Sequence, residues 1–357
     1  MVLTCTQEII MYTNDTIFLR NLSDRQFFPE TVQVVLVICY VSLYTVNLIG
    51  NTSIWIAIIS QKTLHTPMNY FLLNLSLAHI VSGSNAVFFA FVTDTGSVVN
   101  SQTSLDALCA CSEGLCVYFT GVGTYLFTLC GISLNRYIVI KYPTRRNLLM
   151  KGKGVLLYSV FVWLLCSGIT LPSFVSFQYN KNIRLCLRSW QHFEHPFIYR
   201  AVMFTISFFV PITCLMITLC TIIWKRWSIN EGLGRYATNI ITLNLQKAER
   251  QIGTSFLVFF ITWLPFSIYW CLWTGGYFKG CDGSINAMKW IRLTVLFSTL
   301  NGSIDPFIYT FGSTNLRVAV VSSFRTIFPQ AKNGRLPQKE KMDRIRMMSV
   351  ATISSQV

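Results

Sequence analysis

The chain has 357 residues, of which 52% are hydrophobic and only 12% charged, about half the charged fraction of an ordinary soluble domain. So little polar surface excludes a water-soluble fold of this length. The net charge of +15 would suit nucleic-acid binding, but its distribution along the chain assigns it to membrane topology.

Residues 1–30 form a polar N-terminal stretch. Met1–Met11 has neither a positive start nor a long apolar run, so no cleaved signal peptide is read there and the first apolar span is expected to direct insertion. The triplets Asn14-Asp15-Thr16 and Asn21-Leu22-Ser23 make Asn14 and Asn21 candidate glycosylation sites. Seven apolar spans follow within 31–312, at about 32–60, 68–93, 110–134, 154–176, 198–224, 252–275 and 285–311. Each reaches the roughly 20 residues that a bilayer crossing needs. Hydrocarbon offers the backbone no partners, so the spans are predicted to be helices. The fold class is therefore an all-α membrane protein, a bundle of seven transmembrane helices. Residues 313–328 set Leu316, Val320, Phe324 and Phe328 four apart, with Arg317 and Arg325 as polar companions, the pattern of an amphipathic helix lying at the interface. Residues 329–357 read as a disordered cytoplasmic tail.

Charge gives the orientation. The side holding 62–65, 136–153, 225–250 and the tail carries 20 of the 29 Lys+Arg. By the positive-inside bias that side is cytoplasmic and the N-terminus extracellular, as expected of a multi-pass protein of the plasma membrane. The basic face is also expected to attract anionic lipid from the surrounding bilayer.

Residues within the spans narrow the class. The first span contains Gly50-Asn51, and the second Pro67-Met68-Asn69-Tyr70-Phe71 and Asn74-Leu75-Ser76-Leu77-Ala78. The third ends in Leu134-Asn135-Arg136-Tyr137 and the fourth has Trp163 and Pro172. The fifth has Pro211, the sixth Phe259, Trp263 and Pro265, and the seventh Asn301 and Asp305-Pro306-Phe307-Ile308-Tyr309. In order and spacing this set resembles the rhodopsin-like G-protein-coupled receptors, over residues 30–330. The resemblance implies a receptor that binds an extracellular ligand and activates a heterotrimeric G protein. It assigns Asn135, Arg136, Tyr137 and Tyr309 to coupling. Asn51, His79, Pro211, Phe259, Trp263, Pro265, Asn301, Asp305 and Pro306 fall to the switch. Proline removes a backbone bond and kinks a helix, which suits spans that must swing. Arg136 at the end of a span is costly unless paired or snorkelling, so it reads as functional.

The resemblance also implies a disulfide from the outer end of the third span to the following extracellular loop. Cys111 stands 25 residues before Arg136, the family position, and Cys186 is the cysteine of that loop. Cys111–Cys186 is the expected bond, with Cys109 as the rival partner; Cys5–Cys281 is a speculative second bridge. Three departures from the pattern stand out. His79 replaces an aspartate that anchors the family's sodium site, and a His79–Asp305 contact is expected to replace the ion. Asn135 replaces an aspartate that restrains Arg136 at rest, which raises basal activity. Leu219 replaces a tyrosine that supports Arg136 in the active state, which lowers it.

The pocket position 18 residues before Arg136 is Tyr118. An amine ligand needs a carboxylate there, and an opsin needs a lysine where Thr299 stands, so neither fits. A peptide is favoured, in a pocket formed by Tyr118, Val122, Trp263, Tyr269 and Trp270, and the chain looks most like neuropeptide receptors. Ser355-Gln356-Val357 matches a C-terminal PDZ ligand, and Ser349, Thr352, Ser354 and Ser355 offer phosphorylation sites for arrestin. No nucleophile–base set or metal-ligand spacing appears, so neither enzyme activity nor a cofactor nor a metal is expected. A decoy receptor that binds without activating a G protein remains an alternative, as does a transporter, although no internal repeat supports the latter.

Overall fold

The computed structural model describes residues 28–91, 101–112, 115–141, 151–180, 185–188, 196–232, 238–274, 277 and 280–327. Cys5, Asn14, Asn21 and the Ser355–Val357 end lie outside the described residues. Helices α1 (Glu30–Ser60), α2 (Pro67–Phe91), α3 (Gln102–Ser112), α4 (Cys116–Lys141) and α5 (Gly152–Val175) are followed by a hairpin of β1 (Phe177–Asn180) and β2 (Leu185–Arg188). Then come α6 (Pro196–Phe204), a π-helical turn (Thr205–Phe209), α7 (Val210–Gly232), α8 (Thr238–Thr274), α9 (Gly280–Gly312) and α10 (Thr314–Ile327).

Among the described residues, six segments are long and apolar enough to cross a membrane: Glu30–Ser60, Pro67–Phe91, Cys116–Ile138, Gly152–Val175, Ala201–Trp224 and Arg250–Trp273. The seventh span is α9, whose composition is diluted by Asp282, Lys289, Arg292 and Asp305. It is nevertheless packed into the bundle, with α8 on one side and α1 and α2 on the other. Apolar side chains such as Val34, Ile38, Leu157, Leu164, Ile217 and Leu257 face outward, while Asn47, Asn51, Asn74, His79, Asn85, Asn301 and Asp305 are buried. That inversion is what a hydrocarbon surround imposes, since polar groups there must find partners within the bundle.

Those inward side chains tie the helices together. Asn74 Nδ2 donates to Thr128 Oγ1 at 2.7 Å, and Trp163 Nε1 donates to Asn74 Oδ1 at 3.0 Å, joining α2, α4 and α5. Asn51 donates to the Gly302 carbonyl at 3.1 Å. Gly50 allows this approach, because a Cβ there would stand 2.8 Å from the Pro306 ring. Along the fifth span, Pro211 cannot donate to the turn before it, and the chain takes up the π-helical turn immediately upstream. The Cys130 thiol donates to the Pro211 carbonyl at 3.0 Å and Ser133 bonds Thr218 at 2.6 Å, so α4 and α7 are stitched together just after the irregularity.

The third span differs from its predicted 110–134 bounds. The chain breaks between α3 and α4, with Leu115 at φ 49°, and α4 continues to Lys141. A single side chain bridges the break: Asn85 Nδ2 donates to the Cys111 carbonyl at 2.9 Å, and the Tyr118 N–H donates to Asn85 Oδ1 at 3.1 Å. One group thus serves the end of α3 and the start of α4, where helix termini leave backbone groups unpaired. Replacing Asn85 by Leu leaves both groups buried without a partner, at about 1–3 kcal/mol each. The expected result is a lower melting temperature of the purified protein in detergent, with Asn85→Asp, which keeps the acceptor, falling in between. An Asn85→Leu protein as stable as the wild type contradicts the bridge.

Candidate functional site

The centre of the bundle holds two ionisable side chains in contact. His79 on α2 lies 2.9 Å from Asp305 on α9, Nε2 to Oδ2, with side-chain exposures of 5% and 0%. Asn47 Nδ2 donates to the His79 carbonyl at 3.0 Å, and Asn51 Nδ2 donates to Asn47 Oδ1 at 2.9 Å. The imidazole fits because two glycines face it and its neighbour Asn47. A Cβ on Gly302 would stand 2.6 Å from Asn47 Nδ2 and 3.1 Å from His79 Nδ1, and one on Gly83 2.7 Å from Asn47 Nδ2. The Tyr125 ring packs on the His79 ring with centroids 4.6 Å apart. Tyr125, Asn47 and Gly302 escaped the sequence reading; only the spacing of Asn47, one turn before Asn51, hinted at a shared face.

Above the pair is a cavity of about 20 Å³ bordered by Tyr118, Val122, Trp263, Ser298, Asn301 and His79, room for about one water. Tyr118 bonds Ser298 across the bundle at 2.6 Å and stacks on Trp263 at 5.9 Å. Trp263 in turn stacks on Phe259 at 5.3 Å, and Phe259 meets Tyr125 at 5.8 Å. Aromatic contacts therefore run unbroken from Tyr118 to the His79 ring. Of the predicted pocket residues, Tyr118, Val122 and Trp263 border this cavity. Tyr269 and Trp270 do not: they lie farther out on α8, Trp270 stacked on Phe204 at 5.1 Å and Tyr269 against Phe266 at 6.1 Å. Phe204, Phe208 and Phe266 complete this outer aromatic cluster and had no sequence signal beyond their apolar character.

At the other end of the bundle, Arg136 Nε is buried with no hydrogen-bond partner among the described residues, as are the Tyr309 hydroxyl and Ser255 Oγ. Leu219 is buried on α7. Gln251 Nε2 donates to the Tyr309 carbonyl at 3.3 Å, linking α8 to α9. Asn301 Oδ1 and the Tyr125 hydroxyl are likewise buried and unpartnered among the described residues, a rare condition for polar atoms in a packed interior.

The family described as 7 transmembrane receptor (rhodopsin family) matches residues 50–309, from Gly50 through Tyr309 and so across every motif named above. The chain belongs to that family. It is a G-protein-coupled receptor, embedded in the membrane as a multi-pass protein, and not an enzyme. Among its relatives is neuropeptide FF receptor 2 of Mus musculus, 25% identical over 325 residues that cover 84% of this chain and 75% of that protein. Tachykinin-like peptides receptor 86C of Drosophila melanogaster is 23% identical over 296 residues, 76% of this chain and 55% of that one. Octopamine receptor beta-1R of the same fly is 22% identical over 324 residues, 80% and 60% of the two chains.

The outer end of the receptor corrects one expectation. Cys111 carries a free thiol, and Cys109 is the disulfide-bonded cysteine. Two residues along a helix turn a side chain through about 200°, so Cys109 and Cys111 occupy opposite faces of α3. The Cys109 face packs with Leu105, Ala110 and Tyr179. Asp106 Oδ1 accepts the Tyr179 N–H at 2.7 Å, which fixes the hairpin against that same side. A further feature of this end is Arg292, which lies within the seventh span. It is buried in α9, donates to the Phe89 carbonyl at 3.2 Å, and lies 4.6 Å over the Phe89 ring. His79 and Asp305 are therefore not alone among charged groups inside the spans.

Cys109→Ser is expected to remove the disulfide that anchors α3, at about 2–4 kcal/mol, and to reduce surface expression and ligand binding. Cys111→Ser is expected to leave both near wild type, as read by flow cytometry on intact cells. The opposite ranking of the two variants contradicts the assignment.

Proposed function

We propose that the receptor responds to an extracellular peptide and that its N-terminus faces outward at the plasma membrane. The carrying observation is the floor of the pocket. Tyr118 is bonded to Ser298 and stacked on Trp263, and no carboxylate is found among the described residues bordering the cavity. An amine ligand would lack its counter-ion there, which separates this chain from its octopamine-receptor relative. The cavity beneath Tyr118 holds no more than a water, so a ligand engages from the outer side and acts through the Tyr118–Trp263 contact. The outer aromatic cluster around Trp270 supplies broad apolar contact of the sort that peptide side chains use. Relatives named for neuropeptide FF and tachykinin-like peptides support the same reading. Cys186, opposite Tyr179 in the hairpin register, is the partner we assign to Cys109. Glycans at Asn14 and Asn21, arrestin at the phosphorylatable tail and a PDZ protein at Ser355–Val357 complete the proposal.

A peptide-library screen on reconstituted receptor with a G-protein nucleotide-release readout tests it. Peptide-driven release is expected. Release driven by amines but by no peptide overturns the ligand class. Binding without release favours a decoy, a reading for which Asn135, Leu219 and the unpartnered Arg136 Nε speak.

Within that function, the His79–Asp305 contact serves as the latch between α2 and α9, taking the place that the sodium ion has in relatives with an aspartate at His79. The imidazole brings its own partner for the carboxylate on the chain, and the Tyr125 ring occupies adjacent space. Removing one member of a buried pair strands the other, at about 3–5 kcal/mol. Agonist affinity is expected to be the same in sodium and in an equimolar organic cation, and His79→Phe is expected to lose stability that the exchange His79→Asp with Asp305→His restores in part. A sodium effect present in the wild type and abolished by Asp305→Asn refutes the latch.

A further inference from the structure

A second cavity opens on the outside of the bundle, between α4 and α7. It measures about 640 Å³, within the roughly 300–1,000 Å³ typical of small-molecule sites. Leu134 and Tyr137 border it on α4, and Val210, Thr213, Ile217 and Thr221 are among its α7 borders. Val210 and Ile217 are 50% and 61% exposed, so the groove faces the surrounding medium rather than the ligand pocket. For a helix within the bilayer that medium is lipid. The floor is closed by the Ser133–Thr218 bond at 2.6 Å, and Thr218 and Thr221 turn their hydroxyls back onto the Cys214 and Ile217 carbonyls. Their outward surface is therefore methyl groups, and the groove is apolar although threonine-rich.

Its length matches one leaflet. From Phe209 to Thr221 the helix rises about 18 Å, against about 15 Å for half of the hydrocarbon core. Its direction is set by charge. Thr221 is the cytoplasmic end, given the orientation proposed above, on which this inference rests. Lys225 follows Thr221 by four residues and Arg226 comes next, the spacing that keeps Ile217, Thr221 and Lys225 on one helical face. A hydrocarbon slot whose helix continues directly into Lys225 and Arg226 complements an amphiphile with an apolar chain and an anionic head. Juxtamembrane basic residues attract such lipids.

We propose that this groove holds an acyl chain of an anionic phospholipid of the cytoplasmic leaflet, its headgroup at the Lys225–Arg226 level. The chain lies along the α4–α7 contact, beside the Cys130–Pro211 and Ser133–Thr218 bonds that fix the fifth span. Bound lipid thereby braces the two helices that carry Arg136 and Leu219.

The test uses full-length receptor in phosphatidylcholine nanodiscs containing a phosphatidylserine with a photoreactive acyl chain, the sites of labelling being read by peptide mass spectrometry. Label is expected on the Leu134–Tyr137 and Val210–Thr221 peptides. Thr213→Trp, a change at an exposed position, is expected to lower it there several-fold while leaving label on the outward face of α5 around Leu157 unchanged. Lys225→Gln with Arg226→Gln is expected to remove the preference over a photoreactive phosphatidylcholine. Three results overturn the proposal: label spread evenly over all outward helix faces, label at the groove indifferent to Thr213→Trp, or equal labelling by the two lipids in the wild type. Thermal melts of each variant in the same nanodiscs separate a filled groove from a misfolded protein.

Discussion

Hydrocarbon cannot accept or donate a hydrogen bond, and nearly every feature of this receptor follows from that. The backbone pairs with itself in helices, and polar side chains that would be ordinary at a water-facing surface turn inward and bond across helices. Asn74 is shared between Thr128 and Trp163, Asn51 reaches the Gly302 carbonyl, and Tyr40 donates to the Arg292 carbonyl at 2.7 Å. The apolar surface faces outward, so burial of greasy side chains contributes less to holding the helices together than it does in water, and packing with interhelical hydrogen bonds contributes more. Small residues serve this packing: at Gly50, Gly83 and Gly302 a single added carbon would meet a neighbouring ring or amide within 3 Å.

The same constraint explains why the ionisable pair at mid-bundle is informative. An isolated carboxylate with no exposed surface is strongly disfavoured, and His79 is the group placed to offset it. The pair sits where α1, α2 and α9 meet, at the foot of an aromatic path leading down from the pocket floor. A shift of Trp263 that repositions Phe259 and Tyr125 reaches the His79 ring through direct contacts. The contacts that coupling between the pocket floor and the pair requires are all present.

Away from the centre, the two ends of the bundle use different devices. At the outer end a short helix, a hairpin and a disulfide at Cys109 form a cap, and one asparagine heals the break that the cap introduces into the third span. Below the outer cluster, the proline-linked irregularity of the fifth span leads into the α4–α7 contact, and at the other end Arg136 has a donor unused among the described residues. The groove along that contact exposes to lipid the part of the receptor on which its output depends.

Sequence by itself determined the membrane class, the helical character of the spans and the family. Those rest on long-range composition and on side chains set at fixed spacing, which survive without knowledge of packing. It also pointed to His79 and Asp305 as partners, because two buried ionisable groups in one apolar bundle need each other. Only the tertiary structure decided which cysteine is bonded, since Cys109 and Cys111 differ in which face of α3 they occupy and not in their surroundings along the chain. Only it showed that Arg292 turns inward onto Phe89, because the bounds of a span do not say which way a side chain on it faces. The room for His79 was likewise invisible in sequence: it depends on Gly83 and Gly302 meeting across three helices, a distance in space that no spacing along the chain records.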